Sequence, residues 1–182
     1  DRTDSPVSLY AATKLANEHM SYSYAHLYGM PLTGLRFFTV YGPWGRPDMA
    51  LYIFADAIMN GRPIEVFNHG DMKRDFTFVD DIVTGVVAAH DNPPTTSDGA
   101  PHRVYNIGNH RSEPLMRLIE ILENALGRKA EVRMKPMQLG DVKESFADID
   151  AIRNDLGFEP TTPIDVGVPK FVEWFKAYNG YD

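Results

Sequence analysis

Leu32-Thr33-Gly34-Leu35-Arg36-Phe37-Phe38-Thr39-Val40, running directly into Tyr41-Gly42-Pro43-Trp44-Gly45-Arg46-Pro47-Asp48, is the stretch that decides the fold. The first part is an apolar run of strand length, and the Gly/Pro loop after it cannot continue a strand. Before the run stands a helical pattern. Residues about 8 to 28 carry Leu9, Ala12, Leu15, Ala16, His19 and Met20 at helical spacing, entered through Ser5-Pro6-Val7-Ser8 and stopped by Gly29-Met30-Pro31. An apolar strand that follows a helix belongs in a buried, parallel sheet. The class is therefore α/β, and the loop 41–48 lies beyond the C-terminal end of the strand, where open α/β sheets bind ligands.

Downstream, residues about 49 to 60 read as a helix ended by Gly61-Arg62-Pro63. A short strand Ile64-Glu65-Val66-Phe67 leads to the turn Asn68-His69-Gly70-Asp71, and Arg74-Asp75-Phe76-Thr77-Phe78 is expected to return as its partner. Val79 to His90 is helical, with Asp80 and Asp81 in the first turn, where N-capping is their expected role. The polar segment Asp91 to His102 reads as a surface loop and Arg103 to Gly108 as a strand. Ser112-Glu113-Pro114 opens a helix to about Leu126, capped by Gly127, and Glu131 to Lys135 is a further strand. After a loop from Pro136 to Glu144, two helices are expected at about 148–156 and 164–178. No internal repeat or low-complexity block is present.

With 182 residues the chain fits one ordinary domain or a large part of a two-domain enzyme. Lys+Arg 18 against Asp+Glu 25 gives a net charge of -7 with no basic stripe, which argues against a nucleic-acid binder. No apolar run approaches the ~20 residues of a membrane helix. The absence of cysteine excludes disulfides, thiol catalysis and cysteine-held metal. No His/Asp/Glu cluster has metal-ligand spacing, so no metal is expected and His26, His69 and His110 read as surface residues. Asp1-Arg2-Thr3-Asp4-Ser5-Pro6 has the wrong charge and no apolar core for a signal peptide, and a cytoplasmic location is expected. The chain has no initiator Met and reads as processed, trimmed or cut from something longer.

Chemistry concentrates first in Ser8-Leu9-Tyr10-Ala11-Ala12-Thr13-Lys14. Tyr10 and Lys14 stand four apart, so a helix projects both from one face. A cation beside a phenol stabilises the phenolate, and such a tyrosine can serve as a general base. Alone, the pair is common on any exposed helix. It gains weight from Leu35 to Asp48, from Lys73-Arg74-Asp75-Phe76-Thr77-Phe78-Val79-Asp80-Asp81-Ile82, from Tyr105-Asn106-Ile107-Gly108-Asn109 and from Gly140-Asp141-Val142.

Together these motifs resemble the C-terminal part of an extended short-chain dehydrogenase/reductase, of the NAD-dependent epimerase/dehydratase family, and most of all UDP-glucuronate 4-epimerases. The resemblance covers Ser8 to about Phe175. It implies the end of a Rossmann-type parallel sheet, residues 1–48, and a smaller α/β substrate-binding domain occupying mainly 49–182. It implies NAD as cofactor, a UDP-sugar as substrate, and inversion at C4 through a 4-keto sugar. Tyr10 is similar to the catalytic base, and Lys14 to the lysine that holds the nicotinamide ribose. By the same resemblance Arg46 anchors the glucuronate carboxylate and Thr39 faces the sugar. Arg74 binds the diphosphate, Asp141 lies near the ribose, and Phe67 lines the uracil pocket. Trp44 either shapes the sugar pocket or packs the loop. Gln138 departs from the arginine that some of these epimerases carry three residues before the acidic position, which puts a second phosphate clamp in doubt.

A nucleotide-sugar dehydratase or decarboxylase of the same superfamily is the nearest alternative, and a non-catalytic binding or assembly module is another. The sequence contains no Gly-x-x-Gly-x-x-Gly turn, the pyrophosphate cradle of a dinucleotide-binding fold. The isolated chain is therefore expected to be inactive, and the full-length protein to be a homodimer. An open edge on the Leu32 to Val40 strand is expected to favour association.

Overall fold

The computed structural model describes residues 4–95, 99–138 and 140–181. Asp1-Arg2-Thr3 of the leader reading, residues 96–98 of the polar loop, Leu139 and Asp182 lie outside the described residues. Helix α1 (Leu9–Tyr28) begins where Ser8, in extended conformation, accepts a hydrogen bond from the Ala11 amide at 3.1 Å. It ends at Gly29, left-handed at φ 62°. Among the described residues no helix is long and apolar enough to cross a membrane.

The apolar run that follows divides at Phe38. Strand β1 (Leu32–Phe37) lies parallel to β6 (His102–Ile107), with Leu32 opposite His102 and Phe37 opposite Ile107. Strand β2 (Thr39–Tyr41) leaves that partner and lies parallel to β5 (Phe76–Phe78). Two consecutive amides mark the crossover: Phe38 N donates to Ile107 O at 3.2 Å, and Thr39 N to Asp75 O at 3.1 Å. One buried strand was expected, but β1 is only half-buried and has β6 as its one strand neighbour among the described residues.

The expected hairpin of Ile64–Phe67 with Arg74–Phe78 does not form. Strand β3 (Ile64–Val66) instead pairs in parallel with β8 (Val132–Met134), and β4 (Lys73–Arg74) pairs antiparallel with β7 (Glu113–Pro114). Between β3 and β4, Asn68 at φ 49° and His69 at φ 51° turn the chain off the β3 line before it can fold back. Because Glu113 and Pro114 are in a strand, helix α4 (Leu115–Leu126) starts later than Ser112. Helix α2 is Ala50–Met59, α3 is Val79–Asp91, α5 is Asp150–Leu156 and α6 is Ile164–Asn179.

N-capping of α3 by an aspartate is also corrected. Phe78 holds the cap position without a side-chain cap bond. Asp81 is buried and accepts from Thr162 N at 2.9 Å and Thr161 Oγ1 at 3.3 Å, fixing the approach to α6. A buried carboxylate takes the strongest donors within reach, and here they come from another segment.

Two cores result, and neither follows chain order. The larger joins α2, α4 and α6 over Tyr41, Ile64, Val66, Phe76 and Phe78. There α6 comes close to β2 because residue 167 is glycine: a Cβ would overlap the Tyr41 hydroxyl. The smaller packs Ile82, Tyr105, Ile107, Ile149, Ile152 and Phe158 against Leu35, Phe38 and Val40. Each such large side chain, fully buried, contributes about 1.5–3 kcal/mol.

Asp75, 0% exposed, ties the two cores together. Its Oδ1 accepts from Asn109 N at 2.7 Å and Thr77 Oγ1 at 2.8 Å, and its Oδ2 accepts from Ala147 N at 2.9 Å. Asp75→Ala would leave these donors buried and unpaired, and is expected to lower the unfolding free energy by about 3 kcal/mol or more in urea titration. A pH dependence also follows from Tyr105, whose hydroxyl donates to Asp155 Oδ2 at 2.8 Å. Burial and then that carboxylate push the phenol from 10.0 up to about 12. The folded state thus keeps its proton where the unfolded state loses it, so this contribution is complete below pH ~10 and is lost as pH rises from ~10 towards ~12. Tyr105→Phe should flatten that part of the stability profile in thermal melts across this range.

Candidate functional site

Between α2 and the β4–β5 segment lies a cavity of about 820 Å³, a size that suits a small organic ligand. Its floor is apolar, built from Phe54, Ile64, Met72, Phe76 and Leu115. The residues expected to contact substrate reach it from four separated points of the chain. Thr39 opens β2 at the change of strand partner, Phe67 follows β3, Arg74 ends β4, and Asp141 stands in the loop after β8. Four of the five residues expected to contact substrate therefore line one cavity, and Gln138 lines it with them.

Arg74 is held by two segments of backbone and one carboxylate. Its Nη1 donates to Lys73 O at 2.8 Å and Lys143 O at 3.3 Å, and its Nη2 to Asp141 Oδ1 at 2.7 Å. Its side chain is 18% exposed, sheltered yet open to the cavity. The partner is Asp141 rather than Asp75 or Asp80, because Asp75 turns inward to Asn109 and Ala147 and Asp80 is exposed. A second cation, Arg62, also lines the cavity and is paired with Asp56. In the sequence Gly61-Arg62-Pro63 reads only as a helix stop, and a single arginine there carries no signal of a site.

Three expected site residues lie outside that lining. Arg46 is exposed, with Nε 3.2 Å from Asp48 Oδ1 and Nη2 3.4 Å from Met49 Sδ, although its neighbours Pro47 and Asp48 reach the cavity. The loop carrying it starts at Gly42, whose φ of 143° and contact with Val79 leave no room for a side chain. It is anchored by Trp44, 76% exposed, whose ring centroid lies 5.5 Å from those of Trp174 and Tyr178 on α6. Trp44 therefore packs the loop rather than shaping the cavity.

Tyr10 and Lys14 share one exposed face of α1. Tyr10 is 71% exposed, and Lys14 Nζ lies 5.3 Å from the centroid of its ring. The sequence contains no Gly-x-x-Gly-x-x-Gly turn.

The model of the NAD dependent epimerase/dehydratase family matches residues 1–108, and the chain belongs to that family. It is 49% identical over 190 residues to Protein CapI of Staphylococcus aureus, covering 98% of this chain and 57% of that protein. It is likewise 49% identical over 188 residues to a probable UDP-glucuronate 4-epimerase of Rhizobium meliloti, covering 96% of this chain and 55% of that one. Among solved structures, the UDP-glucuronic acid 4-epimerase of Bacillus cereus in complex with UDP-glucuronic acid and NAD superposes with a TM-score of 0.86 at 32% identity. That match covers 96% of this chain and 54% of the other. The chain thus spans about half the length of the relatives it matches, and its α/β class agrees with theirs.

Proposed function

We propose that this chain is the substrate-binding part of an NAD-dependent nucleotide-sugar epimerase that inverts C4 of UDP-glucuronate through a 4-keto sugar. The observation that carries the reading is the single cavity shared by Thr39, Phe67, Arg74 and Asp141. An apolar floor beside a sheltered guanidinium suits a nucleobase joined to a diphosphate. Arg74 offers the diphosphate charge-assisted hydrogen bonds from a fork already fixed by Lys73 O and Lys143 O. Phe67 lies against the base, Asp141 accepts from ribose hydroxyls, and Thr39 faces the sugar. Arg46, next to the cavity-lining Pro47, reaches the sugar carboxylate with its two-point fork.

Tyr10 takes the proton of the sugar 4-hydroxyl, and Lys14 holds the nicotinamide ribose beside it. Bound NAD supplies the hydride acceptor and donor and is unchanged over a cycle. We divide the full-length protein into a nucleotide-binding part, to which residues 1–48 belong, and a sugar-nucleotide part formed mainly by 49–182. Strand β6 and helix α5 pack back against β1 and its continuation in the smaller core. A homodimer is proposed for the full-length protein, supported by the exposed Leu9, Met20, Tyr24 and Leu27 on α1. A dehydratase or decarboxylase would use the same cavity, and Arg46 in its Gly/Pro loop is the argument for a uronate substrate.

Two measurements test this reading. Calorimetry of the 182-residue chain should detect UDP binding that Arg74→Ala weakens by at least about tenfold, the scale of a charge-assisted hydrogen bond. Binding unaffected by that substitution would contradict the assignment. The purified chain should release no NAD on denaturation and turn over no UDP-glucuronate. Stoichiometric NAD in the supernatant would contradict that expectation.

A further inference from the structure

The ion pair inside the cavity has a consequence for which anions the cavity admits. Arg74 Nη1 is committed to Lys73 O and Lys143 O, and Nη2 to Asp141 Oδ1 at 2.7 Å. Lys73 is held in turn by the pairing of β4 with β7, which fixes one of the two carbonyls that orient the guanidinium. The carboxylate of Asp141 therefore already takes one of the Nη2 donors that a phosphate oxygen would use. Asp141 Oδ1 also accepts from Val142 N at 2.8 Å, which ties that oxygen to its own loop. An anion arriving at Arg74 must compete with a carboxylate already in place, and at 4 Å two like charges repel by about 4 kcal/mol in a surface-like dielectric.

We propose that Asp141 is a specificity-determining residue: it guards Arg74 against simple phosphates and yields to a ligand that also brings hydroxyl donors for its carboxylate, namely a nucleoside diphosphate. This rests on the reading of the cavity as a sugar-nucleotide site. A carboxylate is purely an acceptor. Inorganic pyrophosphate has nothing to give it and must displace it, leaving a negative charge beside the bound anion. A nucleoside diphosphate carries ribose hydroxyls on the same molecule, and these replace the hydrogen bonds that Asp141 loses on releasing Arg74. The apolar floor favours the nucleotide through its base, which pyrophosphate lacks, and Asp141 adds to that preference by disfavouring an anion that brings no hydroxyl donors.

The test is calorimetric titration of the 182-residue chain and of Asp141→Asn with inorganic pyrophosphate and, separately, with UDP. Urea unfolding of both proteins confirms equal stability, and Asp141→Ala serves as a second variant. Asn has the same shape without the charge. Pyrophosphate should bind Asp141→Asn about three- to tenfold more tightly than the parent, the range set by release of a partly exposed ion pair. UDP should bind the variant more weakly, so the preference for UDP over pyrophosphate narrows by the product of the two changes. Adding Arg74→Ala should abolish the pyrophosphate gain. Unchanged or weaker pyrophosphate binding in both Asp141 variants, with UDP binding to the parent intact, would overturn the guard alone. A gain that survives Arg74→Ala would overturn it as well. Absence of UDP and pyrophosphate binding in every protein would overturn the sugar-nucleotide reading and the guard with it.

Discussion

A buried carboxylate with every near neighbour donating to it holds this structure in register. Asp75 takes the Asn109 and Ala147 amides and the Thr77 hydroxyl on its side chain, while its carbonyl takes the Thr39 amide. These contacts draw the start of β2, the turn after β6 and the segment before α5 onto the junction of β4 and β5. An unpaired charge so deep would be costly, so the arrangement is stable only when all the donors arrive together.

The site inherits its geometry from the same junction. Successive residues of an extended chain point to opposite sides, so with Asp75 turned into the protein Arg74 is turned out into the cavity. Phe76 then turns back to the apolar floor. The change of partner at Phe38 places Thr39 at the head of β2, and the departure of the chain after β3 places Phe67 at the cavity. Binding groups from separated stretches thus converge because one carboxylate fixes the sheets between them.

Much of this was legible in the residues themselves. Helices α1, α2, α3 and α6 follow apolar spacing and clear stop signals such as Gly29 and Gly61, which are local features. The partners of β3, β4 and β5 were not legible, because Ile64–Val66 and Phe76–Phe78 are equally apolar and only the left-handed backbone at Asn68 and His69 separates a hairpin from what is observed. Asp81 misled for a similar reason: its position in a first helical turn is local, but its donors at Thr161 and Thr162 are some eighty residues away. The gathering of Thr39, Phe67, Arg74 and Asp141 came from motif resemblance. The pairing of Arg74 with Asp141 depends on the fold that brings the loop after β8 to β4. Arg62 had no signal at all, and Trp44 showed its role only once α6 was in place.

The central claim is that this cavity receives a UDP-sugar with its diphosphate on Arg74. A crystal structure of the 182-residue chain soaked with UDP-glucuronate tests it most directly. The account predicts uracil beside Phe67, phosphate oxygens within hydrogen-bond distance of Arg74, and Asp141 turned from the guanidinium to the ribose. Nucleotide bound elsewhere on the chain, with the Arg74–Asp141 pair undisturbed, would contradict it.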